Sequence, residues 1–410
     1  MDRPDSPFGI HIHATPAQAA MARDLGFKWA RCHDAASALT KWYYVEPRPG
    51  EWKWQDEGVR VLRSHGLMIL GTLDSSPPWA SRASRIESPG AYREKCYAPT
   101  NPEAWETYCR TIVERYKGQI DHWEVWNEPY YLNFFSDVAD GRKVHATPEQ
   151  FAEIVERAIR AAREANPRAT VLSSIGAVAA WTAGCVKAGA AEHADAFSHH
   201  VYTTQIPGGP RDILFEREQL WRAELPAEMR QRSSWNTEGG PGVQAHTFYR
   251  RLPLGAARTD ARYLVDFCVR YYISTLSLGQ PKFFLYSFHG HSGLGNPSFM
   301  LTCGDGTLLP LAQAISALAW HIEGKRYAGM AELAPQVWAY LFEGDGESAA
   351  CLVNATGKPW KAPALPAGIA LRDLCGNPLP APGAAGPETC YLAGPSLEAL
   401  EHALGVSRMR

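Results

Sequence analysis

The chain has 410 residues, with 41 Lys and Arg against 43 Asp and Glu, so its formal charge is only −2. This balance excludes an electrostatic case for nucleic acid or an anionic membrane as partner, and it favours a neutral ligand. The length exceeds one ordinary domain and fits an α/β barrel of about 250 residues plus a smaller module. The 14 Trp and 17 Tyr offer flat apolar faces that suit a sugar ring or an ordinary core.

The N-terminus and the cysteines bear on the compartment. No apolar run reaches the roughly 18 residues of a membrane span, and residues 1–5 lack the basic-then-apolar pattern of an export signal. These features predict a cytoplasmic chain, or a periplasmic or secreted one if an export signal has been removed. The nine cysteines, an odd number without CxxC spacing, are interpreted as buried thiols rather than a disulfide framework or a zinc site. The oligomeric state stays open.

Strand-like and helical patterns alternate along the first three quarters of the chain. The strand-like runs are 8–13, 27–31, 67–73, 122–126, 169–174, 196–202, 233–237 and 282–288. Helical periodicity follows most of them, and the capping sequence Thr147-Pro148-Glu149-Gln150 predicts where one helix begins. Eight β-then-α units without a GxGxxG turn predict a (β/α)8 TIM barrel rather than an open doubly wound sheet.

Beyond residue 324 the pattern changes to short strand-like runs separated by Gly, Pro and Asn. Examples are 337–342, 350–353 and 369–371, followed by a helical pattern at 397–404. This texture predicts a small antiparallel β-sandwich. We therefore expect a catalytic barrel over residues 1–325 and an accessory sandwich domain over 326–410.

Two of the predicted strands deliver a glutamate at or just beyond their carboxyl ends. The fourth is closed by Asn127-Glu128-Pro129, and the seventh leads through Thr237 into Glu238-Gly239-Gly240. The carboxyl ends of barrel strands are where such a fold keeps its chemistry. Two carboxyl groups about 5–5.5 Å apart suit retaining glycoside hydrolysis, with Glu128 as the acid and then the base and Glu238 as the nucleophile. A lone strand-end Glu is more often an ion-pair partner, so the inference depends on the pair.

Other polar residues at strand ends are candidates to serve these glutamates. Arg31 could hold Glu238 as a carboxylate, and Tyr202 could donate a hydrogen bond to it. Asn127 would lie beside the sugar 2-hydroxyl. The alternatives are a structural ion pair for Arg31 and a satisfied core hydroxyl for Tyr202.

The adjacent pair His199-His200 could suggest a metal. Neighbouring residues on a strand point to opposite faces, so we expect His200 in the pocket, His199 packed outward and no metal.

The sequence resembles glycoside hydrolases of clan A, most of all family 39 and its near relatives. Trp126-Asn127-Glu128-Pro129 and Thr237-Glu238-Gly239 match the clan's acid/base and nucleophile motifs. Further likenesses are residues 45–52, Pro78-Trp79, His200-Val201-Tyr202 and the turn at 373–377. The resemblance implies a carbohydrate substrate and no cofactor. It leaves β-xylosides, β-glucosides, β-galactosides, uronides and longer polysaccharides open.

The aromatic side chains that would stack on the sugar are the least determined part of the prediction. Clan members often carry a Trp at the end of strand eight, where this chain has Tyr286, Phe288 and His289. Tyr286 is therefore a substrate-binding candidate in place of that Trp. The candidate stacking residues are Trp42, Trp79, Trp181 and Trp235, of which Trp79 is the strongest. The aromatic loop that holds Trp42, at 42–54, is either a cleft wall or a hydrophobic plug.

The sequence therefore predicts a retaining β-glycoside hydrolase. One alternative is a non-catalytic carbohydrate-binding protein on a degenerate barrel, and another is a transglycosylase that uses the same two glutamates. An aldolase or isomerase would need a strand-end Lys or a metal cluster, and Lys282 begins its strand.

Overall fold

The computed structural model describes residues 2–33, 38–203, 205–241, 261–288, 301–302, 306–379 and 384–409. Eight parallel strands close into a barrel, and an antiparallel sheet follows it in the chain. The predicted fold class is confirmed.

The strands up to residue 288 keep the predicted order with slightly shorter bounds. They are β1 (Phe8–His11), β2 (Trp29–Arg31), β3 (Met68–Leu73), β4 (His122–Val125), β5 (Ser136–Ala139), β6 (Arg142–His145), β7 (Thr170–Ser173), β8 (Ala196–Thr203), β9 (Ser234–Pro241) and β10 (Phe283–Leu285). Strands β5 and β6 form a hairpin that the sequence pattern did not predict. The other eight follow each other around the barrel, which closes where β10 pairs with β1.

Helices on the outside of the barrel connect these strands. They are α1 (Pro16–Asp24), α2 (Trp42–Val45), α3 (Asp56–Ser64), α4 (Pro102–Arg115), α5 (Pro148–Ala165), α6 (Ala179–Lys187), α7 (Ile213–Arg222), α8 (Ala261–Ser277) and α9 (Pro310–Ile322). Helix α5 begins as predicted, because Thr147 and Gln150 form a reciprocal capping box around Pro148. Its apolar residues lie on one buried face, which docks the helix on the barrel.

The barrel interior is layered along its axis. An apolar layer at the amino ends of the strands contains Trp29, Leu70, Leu172, Ala196, Trp235 and Phe284. Above it lies a polar layer, in which Arg31 and Glu124 are fully buried and paired. The mouth of the barrel opens above this polar layer, so its side chains support whatever lies at the carboxyl ends of the strands.

The C-terminal part of the chain forms a two-faced sheet. Its elements are β11 (Arg326–Ala334), β12 (Val337–Glu343), β13 (Ser348–Asn354), β14 (Trp360–Lys361), β15 (Ala370–Arg372), β16 (Ala384–Ala385), β17 (Cys390–Gly394) and α10 (Leu397–Leu404). Alternate side chains of β12 and β13 divide between the barrel core and a second core beneath α10. The five-stranded sheet therefore lies between barrel and α10, while β14 and β16 form a separate two-stranded sheet. The division at 325/326 stays a prediction.

No helix in the described parts of the chain is both long and apolar enough to cross a membrane.

Candidate active site

Glu128 and Glu238 meet at the mouth of the barrel. A carboxylate oxygen of each and one ring nitrogen of His200 all lie within 4.8 Å of one another. Both glutamates are about nine-tenths buried, with side-chain exposures of 12% and 11%. The carboxyl ends of β4 and β9, which are separated by β7 and β8 in the barrel, thus present two acidic groups to one point in space.

The end of β4 turns sharply to bring consecutive polar residues inward. Trp126 and Glu128 both have positive φ, at 66° and 49°, a conformation that is uncommon for residues other than glycine. The turn sends the Trp126 indole outward, where its Nε1 donates to the carbonyl of Phe134 at 2.7 Å. Asn127 and Glu128 are then free to face the barrel axis. Strained backbone of this kind is often found at functional sites.

A bulge in β9 aims Glu238 at the same point. His199 pairs with Asn236 and His200 with Glu238, so Thr237 is an extra residue in β9. Thr237 points inward and donates to Glu124 at 2.6 Å, and the bulge lets the next residue, Glu238, point inward as well. At Gly239 a Cβ atom would lie 2.7 Å from the carbonyl oxygen of Val201, so a side chain would force β8 and β9 apart.

Arg31 is the buried centre of the polar network beneath the glutamates. Its Nη1 donates to Glu238 Oε2 at 3.0 Å, its Nη2 to Asn127 Oδ1 at 2.9 Å and its Nε to Glu124 Oε2 at 2.8 Å. Burial opposes the charge on Arg31, but Glu124 and Glu238 more than offset it and raise its pKa. Burial likewise opposes the charge on Glu124, but Arg31, His200 and the hydroxyls of Thr237 and Ser198 together outweigh burial and lower that pKa. The network is therefore ionic and rigid.

Tyr202 and Arg31 bind opposite oxygens of Glu238. The Tyr202 hydroxyl donates to Oε1 at 2.8 Å, while Arg31 donates to Oε2. Burial raises the pKa of Glu238; His200, Arg31 and Tyr202 act against the rise, and the carboxyl of Glu128 adds to it.

The two adjacent histidines point to opposite sides, as predicted. His200 Nδ1 lies 3.1 Å from Glu128 Oε1 and 3.8 Å from Glu238 Oε2. His199 faces outward, with its ring 5.7 Å from that of Trp221 and its Nε2 3.5 Å from Glu218. Within the described residues, Glu128, His200 and Glu238 are the group whose atoms could bind a metal ion.

Two of the aromatic candidates keep part of their surface exposed. Tyr286 is half-buried, with its ring 5.1 Å from His11 and 6.5 Å from Tyr202. Trp79 is also half-buried, and its Nε1 donates to the carbonyl of Glu46 at 3.1 Å. Their roles toward a sugar stay predictions. Phe288 is fully buried, and His289 lies outside the described residues.

Three tryptophans predicted as stacking walls are core residues instead, so this part of the prediction is wrong. Trp235 packs in the apolar layer at the amino end of the barrel, 5.6 Å from Trp29. Trp181 is buried beside Phe135 and stacks on His145 at 5.2 Å. Trp42 has no exposed surface and stacks on Tyr108, which supports the hydrophobic-plug interpretation of its loop.

Sequence reasoning missed Glu124, Thr237 and His11 as members of the site. Glu124 had one usable signal, because a charged residue inside a buried strand needs a partner. Nothing in the sequence marked His11, whose Nε2 lies 2.9 Å from the carbonyl oxygen of Thr237. Burial, and then Arg31, lowers the pKa of His11 well below its usual value, so this imidazole is neutral.

A family model described as glycosyl hydrolase family 10 matches residues 35–173, the segment that contains Glu128. Endo-1,4-beta-xylanase A of Phanerodontia chrysosporium is 27% identical over 135 residues, which is 32% of this chain and 29% of that protein. Residues 35–173 are therefore similar in sequence to glycoside hydrolases. The match spans less than a third of the length of the curated xylanases.

Solved structures support the same likeness at the level of the fold. A family 39 glycoside hydrolase from Bacteroides cellulosilyticus aligns with a TM-score of 0.69 and 18% identity, covering 95% of this chain and 81% of that one. A family 39 beta-xylosidase from Caulobacter crescentus aligns with a TM-score of 0.62 and 15% identity over 96% of both chains. The resemblance to clan A glycoside hydrolases, with family 39 among the structural neighbours, is confirmed.

Proposed function

We propose that this protein is a retaining β-glycoside hydrolase that cleaves β-linked oligo- or polysaccharides through a covalent glycosyl-enzyme intermediate. The observation that carries the proposal is the pair Glu128 and Glu238, whose oxygens approach within 4.8 Å at the barrel mouth. Retaining enzymes place their carboxyl groups about 5–5.5 Å apart, whereas inverting enzymes leave about 6.5–9.5 Å for a water molecule. This short separation favours the retaining class.

In the first step Glu128 gives its proton to the glycosidic oxygen. A carboxylate oxygen of Glu238 attacks the anomeric carbon, the bond from that carbon to the glycosidic oxygen breaks, and the leaving group departs as an alcohol. In the second step the Glu128 carboxylate takes a proton from water. The water oxygen attacks the anomeric carbon and releases Glu238, so two inversions give net retention.

The assignment of roles within the pair comes from the hydrogen-bond donors. Glu238 receives Arg31 on one oxygen and Tyr202 on the other, so negative charge is better stabilised there than on Glu128. Glu238 is accordingly assigned as the nucleophile, and Glu128 as the acid. Arg31 also occupies the Oδ1 atom of Asn127, which leaves the amide NH2 of Asn127 to bind a sugar hydroxyl.

The first substrates to test are β-1,4-xylan and its oligosaccharides. Both curated relatives are named endo-1,4-beta-xylanases, and solved neighbours include a beta-xylosidase and an endoxylanase. Glucosides, galactosides and uronides stay in the panel, because these likenesses come at low identity.

The test is product release from a panel of β-linked oligo- and polysaccharides by wild type, Glu238→Gln and Glu128→Gln. We expect wild type to cleave at least one member, both variants to lose about 10³-fold or more in kcat, and the first product seen by NMR to be the β-anomer. A chelator should leave the rate unchanged. A first-formed α-anomer, or near-normal turnover by Glu238→Gln, would disprove the mechanism. Binding of a glycan by wild type without cleavage would favour a non-catalytic protein, and predominant sugar transfer would favour a transglycosylase.

A further inference from the structure

The residue Tyr131 is joined to the proposed acid by one tight turn. The backbone N–H of Tyr131 donates to the carbonyl of Glu128 at 3.1 Å, which closes a four-residue turn around Pro129 and Tyr130. The position of the Tyr131 ring is therefore linked to that of the Glu128 carboxyl group through three residues of ordered backbone.

The segment after this turn is also held in place. The N–H groups of Phe134 and Phe135 both donate to the carbonyl of Tyr131, at 2.9 and 3.0 Å. The indole of Trp126 donates to the carbonyl of Phe134, and His145 Nε2 lies 2.8 Å from the carbonyl oxygen of Pro129. The Tyr131 backbone thus needs no reordering to receive a ligand, which lowers the entropic cost of binding.

Within this ordered segment the Tyr131 ring remains open. It is 50% exposed, whereas Tyr130 next to it is 7% exposed. The two rings meet edge to face, with centroids 4.7 Å apart and planes at 73°. Tyr130 therefore braces one side of Tyr131 and leaves flat aromatic surface free. Partial burial raises the pKa of the Tyr131 phenol, and the Glu128 carboxyl adds to the rise, in keeping with their proximity.

Resting on the proposed function, we propose that Tyr131 is the platform on which the first sugar of the leaving group stacks. The glycosidic oxygen must lie beside its proton donor, so the sugar that leaves with that oxygen extends on the Glu128 side of the cleft, away from Glu238. An exposed tyrosine ring offers an apolar face for the sugar and a hydroxyl for its rim. The same platform receives the acceptor when a sugar rather than water resolves the intermediate.

The test compares two substrates that differ in whether this platform is used. β-Xylosyl fluoride has a leaving group too small to reach Tyr131, whereas xylotriose places a sugar there. If the substrate panel identifies another sugar, the fluoride and trisaccharide of that sugar replace them. The variants are Tyr131→Ala, Tyr131→Phe and, as matched control, Leu132→Ala, because Leu132 is a neighbouring exposed side chain in the same loop.

We expect Tyr131→Ala to lower kcat/KM on the trisaccharide about tenfold, the size of one good stacking contact, and to change turnover of the fluoride less than twofold. With the fluoride as donor and xylobiose as acceptor, the ratio of transfer to hydrolysis should fall in Tyr131→Ala. Tyr131→Phe, which keeps the ring, should retain most of both activities. Leu132→Ala should match wild type.

Two results would overturn the inference. An equal loss on both substrates would mean that Tyr131 only positions Glu128, and no loss on either would mean that the leaving group does not contact it. If wild type hydrolyses neither substrate of any matched pair, the result would instead disprove the proposed function on which this inference rests. The melting temperature of each variant separates these results from misfolding.

Discussion

His200 is placed between the two acids and responds to both. Burial opposes charge on its ring, but Glu238 and Glu128 outweigh burial and raise the pKa of His200. Its Nδ1 is nearer to Glu128 than to Glu238, by 3.1 against 3.8 Å. A cation at this position stabilises the negative charge of the nearby carboxyl groups.

Replacing His200 with Asn should therefore change how stability depends on pH. Because the pKa of His200 is raised in the folded state, the contribution of His200 to folding stability is fully present below the pKa of the unfolded state, about 6.5. That contribution is lost as the pH rises through the pKa of the folded state. Wild type should therefore lose stability from this source as the pH rises from 6 to 9, and His200→Asn should not. Thermal unfolding at the two pH values measures the difference. The control is His193→Asn, since His193 is exposed and should leave the wild-type difference intact. Equal losses in wild type and His200→Asn would contradict the prediction.

The orientation of individual aromatic side chains could not be predicted from the sequence. Trp79 and Trp235 are both plausible stacking residues when only their distance from a motif is known. Only the closed barrel reveals that Trp235 points into the apolar layer, among Trp29 and Phe284. The exposure of a side chain depends on tertiary packing. Tryptophans chosen only because they lie near strand ends in the sequence therefore include both exposed residues and core residues.

Strand ends, in contrast, could be predicted. Parallel strands of a closed barrel bring all their carboxyl ends to one face. The two glutamate motifs at the ends of β4 and β9, 110 residues apart, therefore lie close together regardless of the sequence between them. The inward direction of Glu238 could not be predicted from the sequence. Side chains alternate between the two faces of a regular strand, so an inward-pointing Thr237 would place the next residue on the outside. The bulge at Thr237 resolves this, and it is visible only in the pairing register of β8 and β9.

Arg31 links three barrel strands, and its removal tests structure and chemistry separately. Arg31→Met leaves Glu124 buried without its ion-pair partner, which should cost about 3–5 kcal/mol of unfolding free energy. The double variant Arg31→Met/Glu124→Leu removes both charges and should regain at least half of that loss. Both variants deprive Glu238 of a donor, so both should remain impaired in kcat. Urea unfolding and turnover, measured on the same preparations, provide the comparison.

Recovery of kcat together with stability in the double variant would contradict this separation. It would mean that Arg31 serves only to neutralise Glu124. If the double variant regained neither stability nor kcat, poor packing of the introduced Met and Leu side chains would be the cause. The urea midpoint of the single variant Glu124→Leu would reveal such a packing defect.

At the scale of the whole molecule, the C-terminal sheet supports a loop at the barrel mouth. Strand β8, which carries His200 and Tyr202, leads into a connection whose Gly209 lies against Trp338 and Tyr340 of β12. The sequence predicted an antiparallel module from its short strands and turns. The sequence could not predict what the module packs against, because the residues on both faces of β12 and β13 are equally apolar.

Tyr340→Phe tests whether this contact matters. The N–H of Gly209 donates to the Tyr340 hydroxyl at 2.8 Å, and that hydroxyl lies 3.2 Å from the carbonyl oxygen of Gly209. Removing the hydroxyl leaves buried backbone groups unpaired, which should cost about 1–3 kcal/mol and loosen the connection after β8. Tyr391→Phe is a matched control, because Tyr391 is buried on the same face of the sheet and its hydroxyl has no hydrogen-bond partner in the described parts of the chain. We expect urea unfolding to register the loss for Tyr340→Phe alone, with a fall in kcat/KM of less than tenfold, since Tyr202 keeps its place on β8. Equal stability of the two variants would mean that the sheet packs on the barrel without supporting the β8 connection.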